Sequence, residues 1–218
     1  IDPLVEKGAI EKVTMNLSDA VTGLAVPTYV WEAGVKSIKD LDLNGDKFKR
    51  QIFSIETGSG INDDIQKVID GDVAGLGDWE MVESNTAAML SQAESKMKDK
   101  DWVVFFAWKP HWMNIKFDIK YLENVPGAEK IANKRSVVYT ILPAGFSGAY
   151  PQAYTFFKQY QVPSEVQSEW VYEHTYKERS PEDVASAWIE ANRDQVEQWL
   201  KGIKTVKGDK TAVQAVYE

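Results

Sequence analysis

The sequence predicts an α/β fold, because short apolar segments with strand character alternate with segments of helical periodicity. The clearest example is RQIFSIETGSGINDDIQKVI (50–69), in which an apolar strand leads through a glycine turn into a helix. A second is the nearly continuous apolar run DWVVFFAW (101–108), which is typical of a strand buried on both faces. We therefore expect a largely parallel sheet. In the helix after the glycine turn, the apolar residues at helical spacing are Ile61, Ile65, Val68 and Ile69.

The other elements are predicted from the same periods and from helix-capping residues. Ser84 is placed to cap the helix after the strand WEMVES, and Ser180 to cap a helix that begins at Pro181. The tail after Gly202 has no strong pattern. In chain order we further predict a strand at 21–27, a short helix and polar turn at 37–48, a strand at 79–84, a helix that places Met89, Leu90, Ala93 and Met97 on one face, a strand at 135–142, a helix near 150–160, a capping box at 164–167, and one helical face formed by Val184, Ala187, Trp188, Ala191 and Trp199.

The charge and the residue types exclude several functional classes. The formal net charge is −8 at pH 7, which argues against binding of a nucleic-acid backbone. The chain has no cysteine, so disulfides, thiolate metal sites and cysteine nucleophiles are excluded. We therefore expect no cofactor, no metal and no nucleic-acid partner.

Catalysis has little support in the sequence. The two histidines, His111 and His174, lie far apart, and no HExxH, GxSxG or P-loop pattern occurs. No spacing of carboxylates marks an acid–base pair, so we expect the acidic residues to be solvated or to cap helices. We predict that the chain is not an enzyme. The rival hypothesis is a hydrolase or transferase that uses His111.

The glycine turn IETGSGIND (55–63) is a candidate anion site. A turn from a strand into a helix leaves the backbone N–H groups of Gly60 and Ile61 directed outward at the positive end of the helix. Such groups suit a phosphate or a carboxylate, and the adjacent Ser59 and Asn62 join them as candidate ligand-binding residues. The alternative is an ordinary strand-to-helix connection without a ligand.

An aromatic cluster follows the apolar run at 101–108. Trp108 ends the predicted strand, where open α/β sheets bind ligands, and Pro110 turns the chain directly afterwards. The face of an indole attracts a cation, and Tyr29 could add a second wall because it follows Pro27 at the end of another strand. An anion site and an aromatic wall together suit a zwitterion with a quaternary ammonium at one end. The alternative is that the indole only covers the sheet edge.

Three separated segments resemble one known family, in the same order: GLAVPTYVWEAGVKSIKDL (23–41), FSIETGSGIN (53–62) and WKPHWMNIKFDIKYLEN (108–124). They are similar to substrate-binding proteins of glycine betaine, choline and proline betaine ABC transporters, the OpuAC/ProX type. The resemblance implies a periplasmic-binding-protein-like (type II) α/β fold, a two-lobed Venus flytrap that holds its ligand between the lobes. It also implies a periplasmic or cell-surface protein that delivers a quaternary-ammonium osmolyte to a membrane permease.

The resemblance also implies roles for individual residues. Trp108 would form a wall of an aromatic cage, and the amides of Gly60 and Ile61 would hold the ligand carboxylate. Tyr29 matches a position that contributes to the cage in the choline-binding branch. His111 matches the family motif and is expected mainly to shape its loop, with a direct ligand contact as the exception. Because the turn suits a carboxylate, a betaine is favoured over choline, with glycine betaine as the expected ligand.

One departure from the family concerns the first lobe, which we expect to be incomplete. Family members begin with a further strand–helix–strand portion that has no counterpart in this chain. We expect residues 1–26 to be a remnant of the first lobe leading into the hinge, and residues 27–140 to be the complete second lobe. Residues 141–218 are expected to return through the hinge and to pack as helices on the first lobe.

The resemblance leaves several points open. A truncated chain and a naturally reduced protein both fit the missing portion. A lipid anchor and fusion to the permease are both compatible with an extracytoplasmic location. Besides a choline- or carnitine-specific binding protein, the remaining alternative is a protein-interaction module whose exposed aromatic residues dock a partner.

Overall fold

The computed structural model describes all 218 residues, and they form two compact units. Unit 1 consists of Ile1–Asp19 with Val137–Glu218, and unit 2 consists of Ala20–Ser136. The chain begins with a short helix α1 (Asp2–Glu6) and a long strand β1 (Ile10–Pro27) that runs from unit 1 into unit 2. The predicted assignment of residues 1–26, 27–140 and 141–218 to lobes stays a prediction.

Unit 2 is an α/β layer built around a five-stranded part of the sheet, in the order β3-β2-β4-β1-β5. The glycine turn lies where predicted, between β2 and the helix α4. Two short 3-10 turns, Gly45–Phe48 and Val73–Gly75, complete the connections. After β1 the elements are α2 (Thr28–Glu32), α3 (Lys39–Asp42), β2 (Gln51–Ser54), α4 (Gly60–Asp70), β3 (Glu80–Glu83), α5 (Thr86–Lys98), β4 (Phe105–Lys109), α6 (Met113–Lys116) and β5 (Ile119–Tyr121).

The sheet of unit 2 is mixed, so the expectation of a largely parallel sheet is wrong. Strand β2 pairs in parallel with β3 and β4, as strands joined through helices do. Strand β1 enters beside β4 in the antiparallel direction, with Ala25 opposite Phe105 and Val21 opposite Lys109, and β5 is antiparallel to β1. No crossover helix precedes β1 within unit 2, so the alternation of strands and helices did not fix its direction.

The core of unit 2 is formed by the faces that the periodicity indicated. Side chains of β2 and β4, including Ile52 and Phe105, are buried in this core. The predicted helical stripes at Ile65 and Val68 of α4 and at Met89 of α5 are buried as well. This burial removes the apolar stripes from water and stabilises both helices against the sheet.

Unit 1 is largely helical. Its strand β6 (Lys134–Pro143), which starts at the end of unit 2, pairs with β1. A π-helical turn, Tyr172–Tyr176, follows α9, and none of the helices of the chain is long and apolar enough to span a membrane. A small core contains Val162, Val196 and Trp199. The helices are α7 (Phe146–Ala149), α8 (Pro151–Gln159), α9 (Ser164–Val171), α10 (Pro181–Ala191), α11 (Arg193–Leu200) and α12 (Ala212–Tyr217).

Several helix ends in the structure differ from the prediction. Asn85, one residue after Ser84, caps α5 by accepting a hydrogen bond from the amide of Ala88. Ser164 is not part of a capping box: its hydroxyl and amide both donate to the carboxylate of Asp19, at 2.6 and 3.1 Å. A carboxylate from β1 therefore supplies the acceptor that the local sequence was expected to supply.

The last third of the chain shows two further differences. The predicted continuous face is divided between α10 and α11, and Ala187 and Ala191 are exposed on it. The tail, in which no pattern was predicted, forms α12 with a capping box between Thr211 and Gln214. The T-x-x-Q spacing was the signal for this helix. The predicted cap at Ser180 is confirmed, since its side chain accepts from the amide of Asp183.

Candidate functional site

The ends of three neighbouring strands bring the candidate residues to one edge of the unit 2 sheet. Because β2, β3 and β4 are parallel, with Phe53 opposite Phe105 and Ser54 opposite Glu83, their carboxyl ends lie side by side. We call this the carboxyl edge. The turn into α4 and the indole of Trp108 both lie at this edge, as the sequence predicted.

The turn before α4 presents unpaired backbone donors. Ser59 has an extended backbone, and its carbonyl accepts from the amides of Asn62 at 3.0 Å and Asp63 at 3.4 Å. No carbonyl or side chain of the protein accepts from the amides of Gly60 and Ile61, which are the first two of the helix. A Cβ atom on Gly60 would meet nothing within 4 Å, so the space beside it is open. These amides at a positive helix end can bind an anionic group.

Ser59 itself does not cap the helix. Its hydroxyl oxygen is buried and has no hydrogen-bond partner within the protein. Buried hydroxyl groups are ordinarily paired, so this atom lies where a further polar group would be stabilised. Its place next to the two unpaired amides makes Ser59 the third polar group of the turn.

Asn62 holds the turn together from the inside. Its side chain is 3% exposed, and its oxygen accepts from the hydroxyl of Ser54 at 2.6 Å. Its nitrogen donates to the carbonyls of Ile55 and Glu56, at 3.1 and 3.2 Å, and to a carboxylate oxygen of Glu83 at 2.8 Å. The carboxamide therefore already has a full set of partners. A direct ligand contact by Asn62 stays a prediction.

Trp108 lies half-buried in β4, opposite Thr22 of β1. Its ring stacks on Phe106 at 5.4 Å between centroids and meets His111 edge-on at 4.7 Å. Its carbonyl accepts from the side-chain amide of Asn114 at 2.8 Å, which ties the following loop back to the strand. The indole is therefore held by rigid neighbours, a condition for a preorganised aromatic wall.

His111 is a neutral ring in the loop after Trp108. Burial lowers its pKa to about 4, so the imidazole carries no charge at neutral pH. Its Nδ1 accepts from the amide of Met113 at 3.2 Å, which assigns the ring proton to Nε2. The ring also packs against Trp112 at 5.3 Å. A neutral imidazole can stand beside a ligand cation without repelling it, which an imidazolium could not.

Tyr29 is not brought to the carboxyl edge. Because β1 is antiparallel to β4, its end at Pro27 lies at the other end of the sheet, about 17 Å along the strand from Thr22 and thus from Trp108. The hydroxyl of Tyr29 donates to the carbonyl of Asp101, before β4, at 2.5 Å. Burial, together with the nearby Asp101, raises its pKa to about 12. The expectation that Tyr29 and Trp108 share one sheet edge assumed parallel strands.

Two carboxylates beside the turn were missed by the sequence reasoning. Glu83 accepts from Asn62 and, at 2.6 Å, from the hydroxyl of Thr57. Glu56 accepts from the amide and the hydroxyl of Thr86, at 2.9 and 3.2 Å, and these bonds hold the pKa of its carboxyl below the usual range. Glu83 lies near the end of the predicted strand 79–84, but only the pairing of β2 with β3 shows that this end is beside the turn. No group of three or more histidine or acidic side chains could hold a metal ion.

Comparison with known proteins places the chain in a family. Residues 2–191 match OpuAC, the substrate-binding domain of the ABC-type glycine betaine transport system. The chain belongs to the OpuAC family. This confirms the family predicted from the three segments, and the match is to a binding domain and not to an enzyme. A curated relative, the glycine betaine/carnitine transport binding protein GbuC of Listeria monocytogenes, is 33% identical over 171 residues.

The aligned part is 78% of this chain but 55% of GbuC, so the chain spans little more than half the length of that relative. Two solved structures confirm the predicted type II binding-protein fold. An ABC-transporter choline-binding protein in complex with choline is 29% identical, with a TM-score of 0.78 over 99% of this chain and 74% of that one. Lactococcal OpuAC, closed around glycine betaine, is 26% identical, with a TM-score of 0.71 over 88% and 71%.

Proposed function

We propose that this OpuAC-family chain is the binding component of an ABC importer and that it captures a quaternary-ammonium osmolyte, with glycine betaine as the preferred ligand. The observation that carries the proposal is that an indole and helix amides without an acceptor occur together at the carboxyl edge of unit 2. The names of the relatives support it, since GbuC and lactococcal OpuAC are described with glycine betaine.

In the proposed complex the trimethylammonium lies against the face of Trp108. A cation on an aromatic face gains about 0.5–2 kcal/mol, more when water is excluded. The adjacent ring of His111 is neutral, because burial holds its pKa at about 4, and so adds no opposing charge. In this proposal His111 contributes shape to the site.

The carboxylate of the ligand lies at the start of α4. The amides of Gly60 and Ile61 donate to it. The hydroxyl of Ser59 is next to them in the chain but buried, so in this proposal it joins them after its side chain turns toward the ligand. Backbone dipoles at a helix end stabilise a carboxylate without a buried cationic side chain. A zwitterion therefore finds a partner for each of its two charged groups.

Choline is the second candidate, and a specific observation favours it. The carboxylates of Glu56 and Glu83 flank the turn, and the pKa of Glu56 is held low by its bonds to Thr86, so this carboxyl is ionised. Negative charge beside the turn favours a ligand of net positive charge over a zwitterion. The choline-binding relative matches over nearly the whole chain.

Calorimetry with glycine betaine and choline tests the proposal. We expect both binding and a ligand-induced change in tryptophan fluorescence. Trp108→Ala should weaken binding by up to about 30-fold, the value of one strong, desolvated cation–π contact. The matched control is Trp31→Ala, a half-buried tryptophan in α2 at the other end of β1. No binding of either compound by the wild-type chain, or equal losses in the two variants, would contradict the proposed site.

We also propose that the protein acts outside the cytoplasmic membrane and delivers its ligand to a membrane permease. Family membership supports this, because the OpuAC domain is that of an ABC-type transport system. A lipid anchor and fusion to the permease are the two proposed ways of attachment. Co-purification of the tagged full-length protein with the permease from detergent-solubilised membranes tests it, and recovery of the protein in the cytosolic fraction alone would contradict it.

A further inference from the structure

Glu83 occupies a position from which one side chain can reach both sides of the turn into α4. It is the last residue of β3, directly opposite Ser54, the last residue of β2. One carboxylate oxygen accepts from the hydroxyl of Thr57, inside the turn, at 2.6 Å. The other accepts from the side chain of Asn62, in the first turn of the helix, at 2.8 Å. The two bonded residues bracket the amides of Gly60 and Ile61 in the chain.

Asn62, the partner of Glu83 on the helix, connects it to the rest of the turn. Asn62 is buried and also binds the carbonyls of Ile55 and Glu56 and the hydroxyl of Ser54. A carboxylate that accepts from both Thr57 and Asn62 therefore fixes the loop, the strand end and the first helical turn relative to each other. Charge-assisted bonds of this kind are about twice as strong as neutral ones.

We infer that Glu83 is a positioning residue, which holds the turn so that the amides of Gly60 and Ile61 face outward and which thereby sets the affinity for ligands that carry a carboxylate. This inference rests on the proposed function. Its consequence is a selective one: misalignment of the amides weakens glycine betaine, whose carboxylate needs them, and spares choline, which has no carboxylate.

The hydrogen bonds of Glu83 and its negative charge should have opposite effects on the affinity for glycine betaine. The negative charge of Glu83 repels a ligand carboxylate, so removal of the charge alone should leave glycine betaine affinity unchanged or slightly higher. Removal of the acceptor atoms should lower it. Glu83→Gln keeps the shape and one acceptor oxygen for Asn62 without the charge, whereas Glu83→Ala loses both. The pair of variants therefore separates position from charge.

The experiment is calorimetric titration of the wild type, Glu83→Ala, Glu83→Gln and the control Glu80→Ala with glycine betaine and with choline. Glu80 is an exposed carboxylate at the start of the same strand. We expect Glu83→Ala to weaken glycine betaine about tenfold, the size of one or two ordinary hydrogen bonds. Choline should be weakened clearly less, because it has no carboxylate for the amides and loses only the attraction of one charge. Glu83→Gln should stay near the wild type, and Glu80→Ala should have no effect.

Three results would overturn the inference: no loss of glycine betaine affinity in Glu83→Ala, an equal loss for both ligands, or Glu83→Gln behaving like Glu83→Ala. If the wild type binds neither ligand, the proposed function fails first. The positioning is then decided by NMR, since Glu83→Ala must shift the carboxamide signals of Asn62 and the amide signals of Gly60 and Ile61. Unshifted signals, or equal shifts in Glu80→Ala, would refute it.

Discussion

The two edges of the unit 2 sheet hold similar aromatic residues in different electrostatic surroundings. At the edge opposite the carboxyl edge, the ammonium of Lys47 lies 4.1 Å from the ring centre of Trp102, and that of Lys100 lies 4.8 Å from Tyr29. At the carboxyl edge, Trp108 packs against Phe106 and the neutral His111. One edge has its aromatic faces satisfied by cations of the chain, and the other offers an indole to a cation from outside.

The edges also differ in how their polar groups are paired. Tyr29 bonds the carbonyl of Asp101, so the opposite edge closes on itself. At the carboxyl edge, side chains of Asn62 and Glu83 brace the turn while the amides of Gly60 and Ile61 receive no acceptor from the protein. Rigid support behind unsatisfied donors distinguishes a preorganised binding edge from a structural one.

The largest effect on stability that we predict follows removal of the Asn62 side chain. Asn62→Ala leaves the hydroxyl of Ser54, two carbonyls and Glu83 without their partner in a buried place, and should lower the free energy of unfolding by about 3 kcal/mol. Tyr29→Phe, which removes one bond at the opposite edge, should cost about 1 kcal/mol. Urea unfolding measures both. Equal losses would show that the carboxyl edge has no special support.

A pH dependence of stability should come from His111. Burial lowers its folded-state pKa from 6.5 to about 4, so the unfolded chain binds more protons between these values. The His111 contribution to the free energy of unfolding should therefore decrease as the pH falls from about 6.5 to about 4. His111→Gln should flatten this slope. An unchanged slope in His111→Gln would show that the ring is not held neutral by burial.

The smallest predicted effect concerns the opposite edge. Lys47→Met removes the ammonium over Trp102 and should cost less than about 1 kcal/mol of stability, as exposed cation–π pairs do. It should leave ligand affinity unchanged, because it lies at the far end of the strands. Thermal unfolding and calorimetry measure the two quantities. A loss of ligand affinity in Lys47→Met would indicate that the ligand binds at the opposite edge, and would contradict our proposal.

Local sequence signals were sufficient for the parts of the site that one segment builds. The period of Ile61, Ile65 and Val68 located α4, and the glycines before it located the amides that end the turn. The apolar run at 101–108 likewise placed Trp108 at the carboxyl end of a strand, although β4 starts only at Phe105. Each of these inferences depends on neighbours within a few residues.

The parts that depend on pairing between distant segments could not be predicted. The direction of β1 decides on which edge Tyr29 lies. The residue pattern of β1 did not show whether it pairs with its neighbour in the parallel or the antiparallel direction. The bond from Glu83 to Asn62 needs the register of β2 with β3, and the cap of Ser164 comes from Asp19. Such contacts require strand order and direction, which one sequence does not specify.

The amides of the turn carry the central claim, and a single substitution can delete one of them. Gly60 is the first residue of α4, where proline is tolerated, and the extended backbone of Ser59 suits a residue before proline. Calorimetric titration of Gly60→Pro with glycine betaine, with Gly60→Ala as the control that keeps the N–H, is therefore the most direct measurement. The account predicts about tenfold weaker binding in Gly60→Pro and an unchanged value in Gly60→Ala. Equal affinities in the two variants would contradict it.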